Sequence, residues 1–284
     1  MANVYHLDLS RSMLKGATLA LLPGDPFRVP KIAAQIEARS GEKAVELAWK
    51  REYRSFLGTL AGEKVLVTST GIGGPSTSIA VEELAKLGVR IFLRVGTAGA
   101  IQPGMNIGDL VVTTASVRLD GASNHYAPIE YPAVSHPEVL IALIDAARHH
   151  EREGIRAHVG ITASSDTFYA GEERTDGFSR YLLRRLRGLT EEMKRLHVLN
   201  FEMESATLLT MCAALGLKAG VITGVVNRRR KKEEKITPER LRAGEENVIR
   251  VALTAAERIL ALRKKSDDHP GPKKGVVSSS LHDV

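Results

Sequence analysis

Six short apolar runs, each closed by a glycine-rich or polar turn, restrict this chain to an alternating arrangement of strands and helices. The runs are "ATLALLPGDP", "KVLVTSTGIGGP", "IFLRVGTAGA", "DLVVTTASVRLDG", "AHVGITASSDTF" and "GVITGVVN". They are rich in Val, Ile and Thr and do not alternate strictly with polar residues, which is how strands covered on both faces read. Helical periodicity fills residues 76–88, 137–154, 204–216 and 238–265. Two of these stretches, "LAKLG" and "CAALG", stop at a glycine, the residue that most easily takes the left-handed cap conformation. The last begins after Thr237 with Pro238 in the first helical position, a good start signal. The expectation is one α/β domain over residues 1–265, with a central mixed β-sheet flanked by helices on both faces. Residues 266–284, rich in Pro, Gly, Ser and Lys, are expected to form a disordered polar tail.

Composition narrows the class. With 284 residues, 43% of them hydrophobic, the chain can bury a large core, and no run approaches the ~18 apolar residues of a membrane span. The N-terminus lacks the pattern of a signal peptide. Cys212 is the only cysteine. It lies in an apolar helical stretch and reads as a core thiol, with no disulfide and no thiolate zinc site. A cytoplasmic location is expected. The net charge of +7 raises nucleic acid as a partner. However, the segment 228–235 carries six basic and two acidic residues, and 263–284 carries five and three. Most of the excess therefore sits in one loop and the tail, with no aromatic residues interleaved for base stacking. A solvated loop is expected, and no nucleic-acid partner.

Several stretches carry chemistry. "TGIGGPSTSIAVEEL" follows a strand and opens a helix, so its amides could face an anion. It is neither a dinucleotide fingerprint nor a P-loop, because Ser76 stands in place of the third glycine and no Gly-Lys-Ser/Thr follows. Arg94 interrupts the apolar strand "IFLRV" just before a Gly-Thr-Ala-Gly turn. A buried guanidinium needs a counter-charge; an internal carboxylate would satisfy it, but its planar fork favours a ligand carboxylate or phosphate. "LLPGDPFRV" repeats the theme with Gly24 and Arg28. Two such loops point to a phosphate-sized ligand at the strands' carboxyl ends. In "NFEMESAT", Glu202 and Glu204 share a face if the segment is extended. No His or Asp lies nearby in sequence, so sugar hydroxyls are a better partner than a metal. His149 and His150 read as a charged helix face.

These stretches resemble the nucleoside phosphorylase family. "STGIGGPSTSIAVEEL" matches its signature, while "TTASVRLDGAS", "TASSDTFYAGEER" and "NFEMESATLLTMCA" are similar to the branch that cleaves uridine. The similarity runs from about Val4 to Leu260. It implies a pentosyltransferase that splits uridine with phosphate into uracil and ribose 1-phosphate, assembled as a homohexamer of three dimers. By resemblance, Gly24, Arg28, Arg94 and Thr97 hold phosphate, joined by Arg51 from a neighbouring subunit. Glu204 binds the ribose hydroxyls, Met203 packs on the sugar, Glu202 borders the pocket, and a neighbour's His6 meets the 5′-hydroxyl. Phe168 lies against the base, with Glu172, Arg174 and Arg228 at its polar edge. No cofactor is required, phosphate is the co-substrate, and Glu52, Ile72 and Ser76 match positions that hold a potassium ion between subunits.

Two departures bear on the base. Glu172 stands where the family usually has glutamine, and "GVVNRRRKKEEK" is about one residue shorter before Asn227 than the common pattern. Purine nucleosides, deoxyuridine or thymidine are thus alternative substrates. A sister nucleosidase would use water, against which Arg28, Arg51 and Arg94 argue, because water needs no anion cradle. An RNA-associated protein using the basic loop is the remaining alternative.

Overall fold

The computed structural model describes residues 3–229 and 237–268. Its strands are β1 (Leu19–Leu22), β2 (Val45–Lys50), β3 (Tyr53–Leu60), β4 (Glu63–Thr68), β5 (Ile91–Ala100), β6 (Leu110–Leu119), β7 (Ala133–Val134), β8 (Ala157–Ser165), β9 (Asn200–Glu202) and β10 (Lys218–Arg228). The helices are α1 (Val29–Ser40), α2 (Gly74–Leu87), α3 (Pro137–Glu151), α4 (Leu189–Arg195), α5 (Ser205–Ala214) and α6 (Pro238–Asp268). All six apolar runs are strands, and all four helical patterns are helices. α6 continues three residues past the expected end at 265. The expected tail beyond that helix, residues 269–284, and the loop residues 230–236 lie outside the described residues.

The strands form one mixed sheet in the order β10-β6-β8-β9-β5-β1-β4-β3-β2, with β7 on β6. β10 also pairs with β5 in parallel. The pairing β5-β10-β6-β8-β9 therefore closes on itself, and β1, β4, β3 and β2 extend from it. Alternation along the central strands sorts the core into two halves. Leu19, Leu21, Ile91, Leu93 and Val95 pack with α1, α3 and α6. Ala20, Leu22 and Phe92 pack with α2 and α5. Cys212 is buried in that second half, as expected of a core thiol. His150 departs from the expected charged face: it is buried, its two ring nitrogens meeting Glu153 and Thr254 at 3.0 Å each, because it lies on the side of α3 that packs on α6.

α6 lies on β10 through glycine. A Cβ on Gly224 would stand 2.2 Å from the Gly244 carbonyl oxygen, and one on Gly244 would stand 2.7 Å from the Val226 side chain. Gly224→Ala should therefore push α6 off the sheet and destabilise the fold by about 3 kcal/mol, the upper end for overpacking. Urea unfolding measures this; an unchanged midpoint would mean that the two backbones do not need to touch.

Candidate active site

Arg94 is the centre of the site, and strand alternation explains why. It shares a face with Phe92, the side covered by α2 and α5, and it is level with Leu22 at the carboxyl end of β1, while β5 itself runs on through the expected Gly-Thr-Ala-Gly turn to Ala100. The N-termini of both helices arrive there. Gly73 is the N-cap of α2 and Glu204 the N-cap of α5. Such ends carry partial positive charge and unpaired amides. The Gly73 amide donates to Glu204 Oε1 at 2.6 Å, and Arg94 Nη2 donates to Glu204 Oε2.

The two glutamates share this arginine but do different work. The extended segment ends at Glu202, so the pair meets Arg94 across a strand-to-helix turn rather than along one strand face. Glu202 Oε2 lies 3.4 Å from Arg94 Nε. Its oxygens also accept from the Ser205 amide at 3.0 Å, the Ser205 hydroxyl at 2.6 Å and the Glu204 amide at 3.1 Å. Glu202 thus satisfies the first amides of α5. Glu204 has fewer obligations. Burial pushes its carboxyl above the ordinary range, Arg94 opposes that shift, and the Glu202 charge adds to it. Among the described residues, Arg94 Nη1 is buried with no hydrogen-bond partner.

These groups line a cavity of about 590 Å³, which also takes in Gly24, Arg28 and Thr97 at one end and Phe168, Glu172 and Arg174 at the other. Met203 also lines it. Gly24 allows close approach: a Cβ there would stand 3.1 Å from the Gly71 carbonyl and 3.7 Å from Arg94 Nη2. Arg28 is 4% exposed, not a surface residue. Its Nε donates to Glu245 Oε1 at 2.9 Å, its Nη2 lies 2.9 Å from the same oxygen as an ion pair, and its Nη1 donates to the Val95 carbonyl at 3.2 Å.

At the other end, Glu172 is buried between two arginines. Arg174 Nε lies 3.3 Å and Arg229 Nη1 3.6 Å from its Oε2. Burial dominates: it pushes the Glu172 carboxyl up to about 7, although Arg174 and Arg229 pull the other way. The Arg174 guanidinium stacks 3.7 Å over the Phe168 ring, a cation–π geometry.

Neither Arg228 nor Arg229 is among the residues lining this cavity, but Arg229 reaches Glu172, which does line it. Asn227 lines the cavity and pairs with Gly99, so the residue two further on shares its face and Arg228 points away. Arg228 borders a separate recess with Gln102, Pro103 and Lys194, which Arg229 also touches. Arg229 therefore departs from the expected solvated loop, being 8% exposed. Arg51 and His6 do not line this chain's own cavity. Arg51 is exposed at the tip of the β2–β3 hairpin with φ of 56°. His6 Nδ1 is held by Glu83 Oε1 at 2.7 Å. Glu52, Ile72 and Ser76 meet at the cavity's rim, where Ser76 Oγ donates to the Ile72 carbonyl at 3.1 Å. No group of three or more His, Cys, Asp or Glu side chains converges among the described residues.

Arg229 and Glu245 escape a reading of the sequence alone. Glu245 did leave a signal, because it occupies the stripe of α6 continued by the buried Val248, Ile249 and Ala252, and an acid on a buried stripe needs a partner.

Cations fit to hold an oxyanion stand beside a carboxylate fit to take hydroxyls, with an aromatic wall beyond, and this defines a pocket for a sugar derivative and an anion. The chain belongs to the phosphorylase superfamily, which it matches over residues 18–262. It is 52% identical over 259 residues to the uridine phosphorylase of Escherichia coli (strain K12), covering 91% of this chain and 99% of that protein. It is 46% identical over 257 residues to the uridine phosphorylase of Thermococcus kodakarensis, covering 90% and 87%. It is 35% identical over 243 residues to the guanosine phosphorylase of Halorubrum lacusprofundi, covering 84% and 92%.

Proposed function

We propose that this chain is a pentosyltransferase that cleaves uridine with phosphate, releasing uracil and ribose 1-phosphate. The pairing of Arg94 with Glu204 on the cavity floor carries the reading, because it sets an anion ligand against a hydroxyl acceptor. Phosphate would take the end formed by Gly24, Arg28, Arg94 and Thr97. Ribose would lie over Met203, with its hydroxyls donating to Glu204 and with Glu202 holding the turn beneath. The base would lie against Phe168, its polar edge toward Glu172, Arg174 and Arg229, with Arg229 in the role expected of Arg228.

Chemistry follows from that order. A phosphate oxygen attacks the anomeric carbon as the C–N bond breaks, and the bonding pair leaves with the base. Glu204 faces the ring that becomes cation-like, the arginines orient the nucleophile, and donors at the far end stabilise the departing base. Phosphate arriving at Arg94 also loosens its hold on Glu204, freeing that carboxylate for the sugar. The two substrates should therefore strengthen each other's binding reciprocally.

Within one chain, Arg28, Lys31 and Arg94 are matched by Glu245, Glu202 and Glu204. A phosphate needs further positive charge, which supports Arg51 and His6 of a neighbouring subunit reaching in, and a hexamer built from dimers. Glu52, Ile72 and Ser76 would offer a carboxylate, a carbonyl and a hydroxyl to a potassium ion at that contact. All three are the hard oxygen donors such an ion prefers, and bound there the ion would brace the rim of the site.

Two results are expected. Uridine cleavage requires added phosphate; base release at the same rate without it would indicate a nucleosidase. Mixing inactive Arg51→Ala chains with inactive Glu204→Ala chains restores activity, because some mixed dimers contain one intact site. Verified mixed dimers that stay inactive would rule out shared sites. A second reading, guanosine as the substrate, is favoured by Glu172, since an ionised carboxylate accepts two N–H donors at once.

A further inference from the structure

Glu245 is a buried carboxylate to which the proposed chemistry gives no role. It stands behind Arg28, on the side away from the cavity, and borders a shallow recess with Lys31, Leu241 and Arg242. Oε1 receives Arg28, and Oε2 receives Lys31 Nζ at 2.7 Å. The contact of Gly244 with Gly224 brings this turn of α6 close enough for the bond to form. Burial raises the Glu245 carboxyl, but Arg28 and Lys31 outweigh burial and hold it below the ordinary range, so it stays ionised.

Arg28 has five N–H donors. Glu245 accepts one and the Val95 carbonyl another, with Nη2 also held 2.9 Å from Glu245 Oε1, so N–H groups remain for an anion in the cavity. A guanidinium this buried cannot stand without a counter-charge. With the cavity empty, Glu245 is that counter-charge; with an anion bound, two negative groups draw on one cation from opposite sides. We propose that Glu245 is a positioning residue that sets the phosphate affinity of the site through Arg28. This rests on the reading of Arg28 as a phosphate ligand.

Glu245→Gln keeps the side chain's length and one acceptor while removing a full negative charge behind the site. Inorganic phosphate is expected to bind it about tenfold tighter by calorimetry, the scale of one charge acting across a partly screened distance. KM for phosphate should fall without a rise in kcat, because the interaction is the same before and in the transition state. KM for uridine should not change when phosphate is saturating. The variant should be less stable than wild type without phosphate, yet gain more stability from phosphate than wild type does. Lys31→Met, at an exposed position, should move the other way, with phosphate bound about two- to threefold more weakly because Glu245 is no longer shared. A purely structural Glu245 would lower the unfolding temperature without enlarging the phosphate response. Phosphate binding by Glu245→Gln that is no tighter than wild type overturns the proposal, as does Lys31→Met binding phosphate more tightly. Phosphate-independent uridine cleavage by wild type would instead overturn the functional reading beneath it.

Discussion

Arg94→Ala is expected to lower phosphorolysis on the order of a thousandfold and to destabilise the fold in the same step. The rate loss follows from removing the donor proposed to hold the phosphate nucleophile, which costs a hundredfold to a thousandfold in comparable sites, together with the loss of the group paired with Glu204. The stability loss follows from what remains. Glu202 and Glu204, 4% and 3% exposed, would face each other without their shared cation. Removing one partner of a buried ion pair typically costs about 3–5 kcal/mol. The two effects can be separated. Adding Glu204→Gln to Arg94→Ala removes the stranded charge, so the double variant should regain much of the stability but none of the activity. Urea unfolding beside steady-state kinetics provides the measurement. Activity that returned with stability would reduce Arg94 to a structural cation, and a single variant with wild-type phosphate dependence would remove it from the site altogether.

Glu172→Gln should erase a pH dependence that the wild-type protein carries. Below about pH 7 the Glu172 carboxyl holds its proton, and a protonated acid offers one donor and one acceptor, the pattern of an amide. It can then meet an N–H and a carbonyl of uracil together. Above that pH it only accepts, and its charge opposes both the carbonyl and the negative charge growing on the departing base. Arg174, Arg229 and Glu202 are the charged groups that act on it among the described residues. KM for uridine should therefore rise as pH passes through 7, approaching about tenfold per unit, and stay flat in the glutamine variant. Stability follows the same proton. The folded value lies above the ordinary 4.5, so no cost is felt below that pH, and the cost is complete once the pH has passed 7. It amounts to about 3 kcal/mol at ~1.4 kcal/mol per pH unit. Glu172→Gln should be the more stable form at pH 8 and lose that advantage below pH 5. If the variant loses most of its uridine activity at pH 6, the acid is not acting as an amide. If wild type cleaves guanosine faster than uridine at pH 8, the carboxylate is the specificity element and guanosine the substrate.

The parts of this molecule legible in sequence are those set by local periodicity. Arg94 was visible because a cation inside "IFLRV" breaks an otherwise apolar strand, and the glutamate pair because its neighbours are apolar. Partners brought from far along the chain were not visible. Glu245 lies 217 residues from Arg28, and nothing local says that α6 will cross β10 at a glycine. The choice between Arg228 and Arg229 depended on which face Asn227 takes, which is fixed only by pairing with Gly99. The β2–β3 hairpin and β9 gave too little pattern to read, since β2 is largely exposed and β9 has three residues. His150 was misread because a charged neighbourhood in sequence, "ARHHEREG", says little about a helix side that α6 covers.

The pairing of β10 with β5 shifts between Val225 and Asn227, leaving Val226 as an extra residue on one strand. Such a bulge gives the strand slack. Upstream of it, Val221 to Val225 are tied to Arg94 through Ala98, at the end proposed for phosphate; downstream, Asn227 is tied to Gly99, toward the end proposed for the base. A residue gained or lost at the bulge is absorbed there, so each end keeps its own register. The wall beside the base can thus be refitted to a different ring while the machinery that handles phosphate stays where it is, and a family built on this sheet can change which nucleoside it accepts without rebuilding how it cuts.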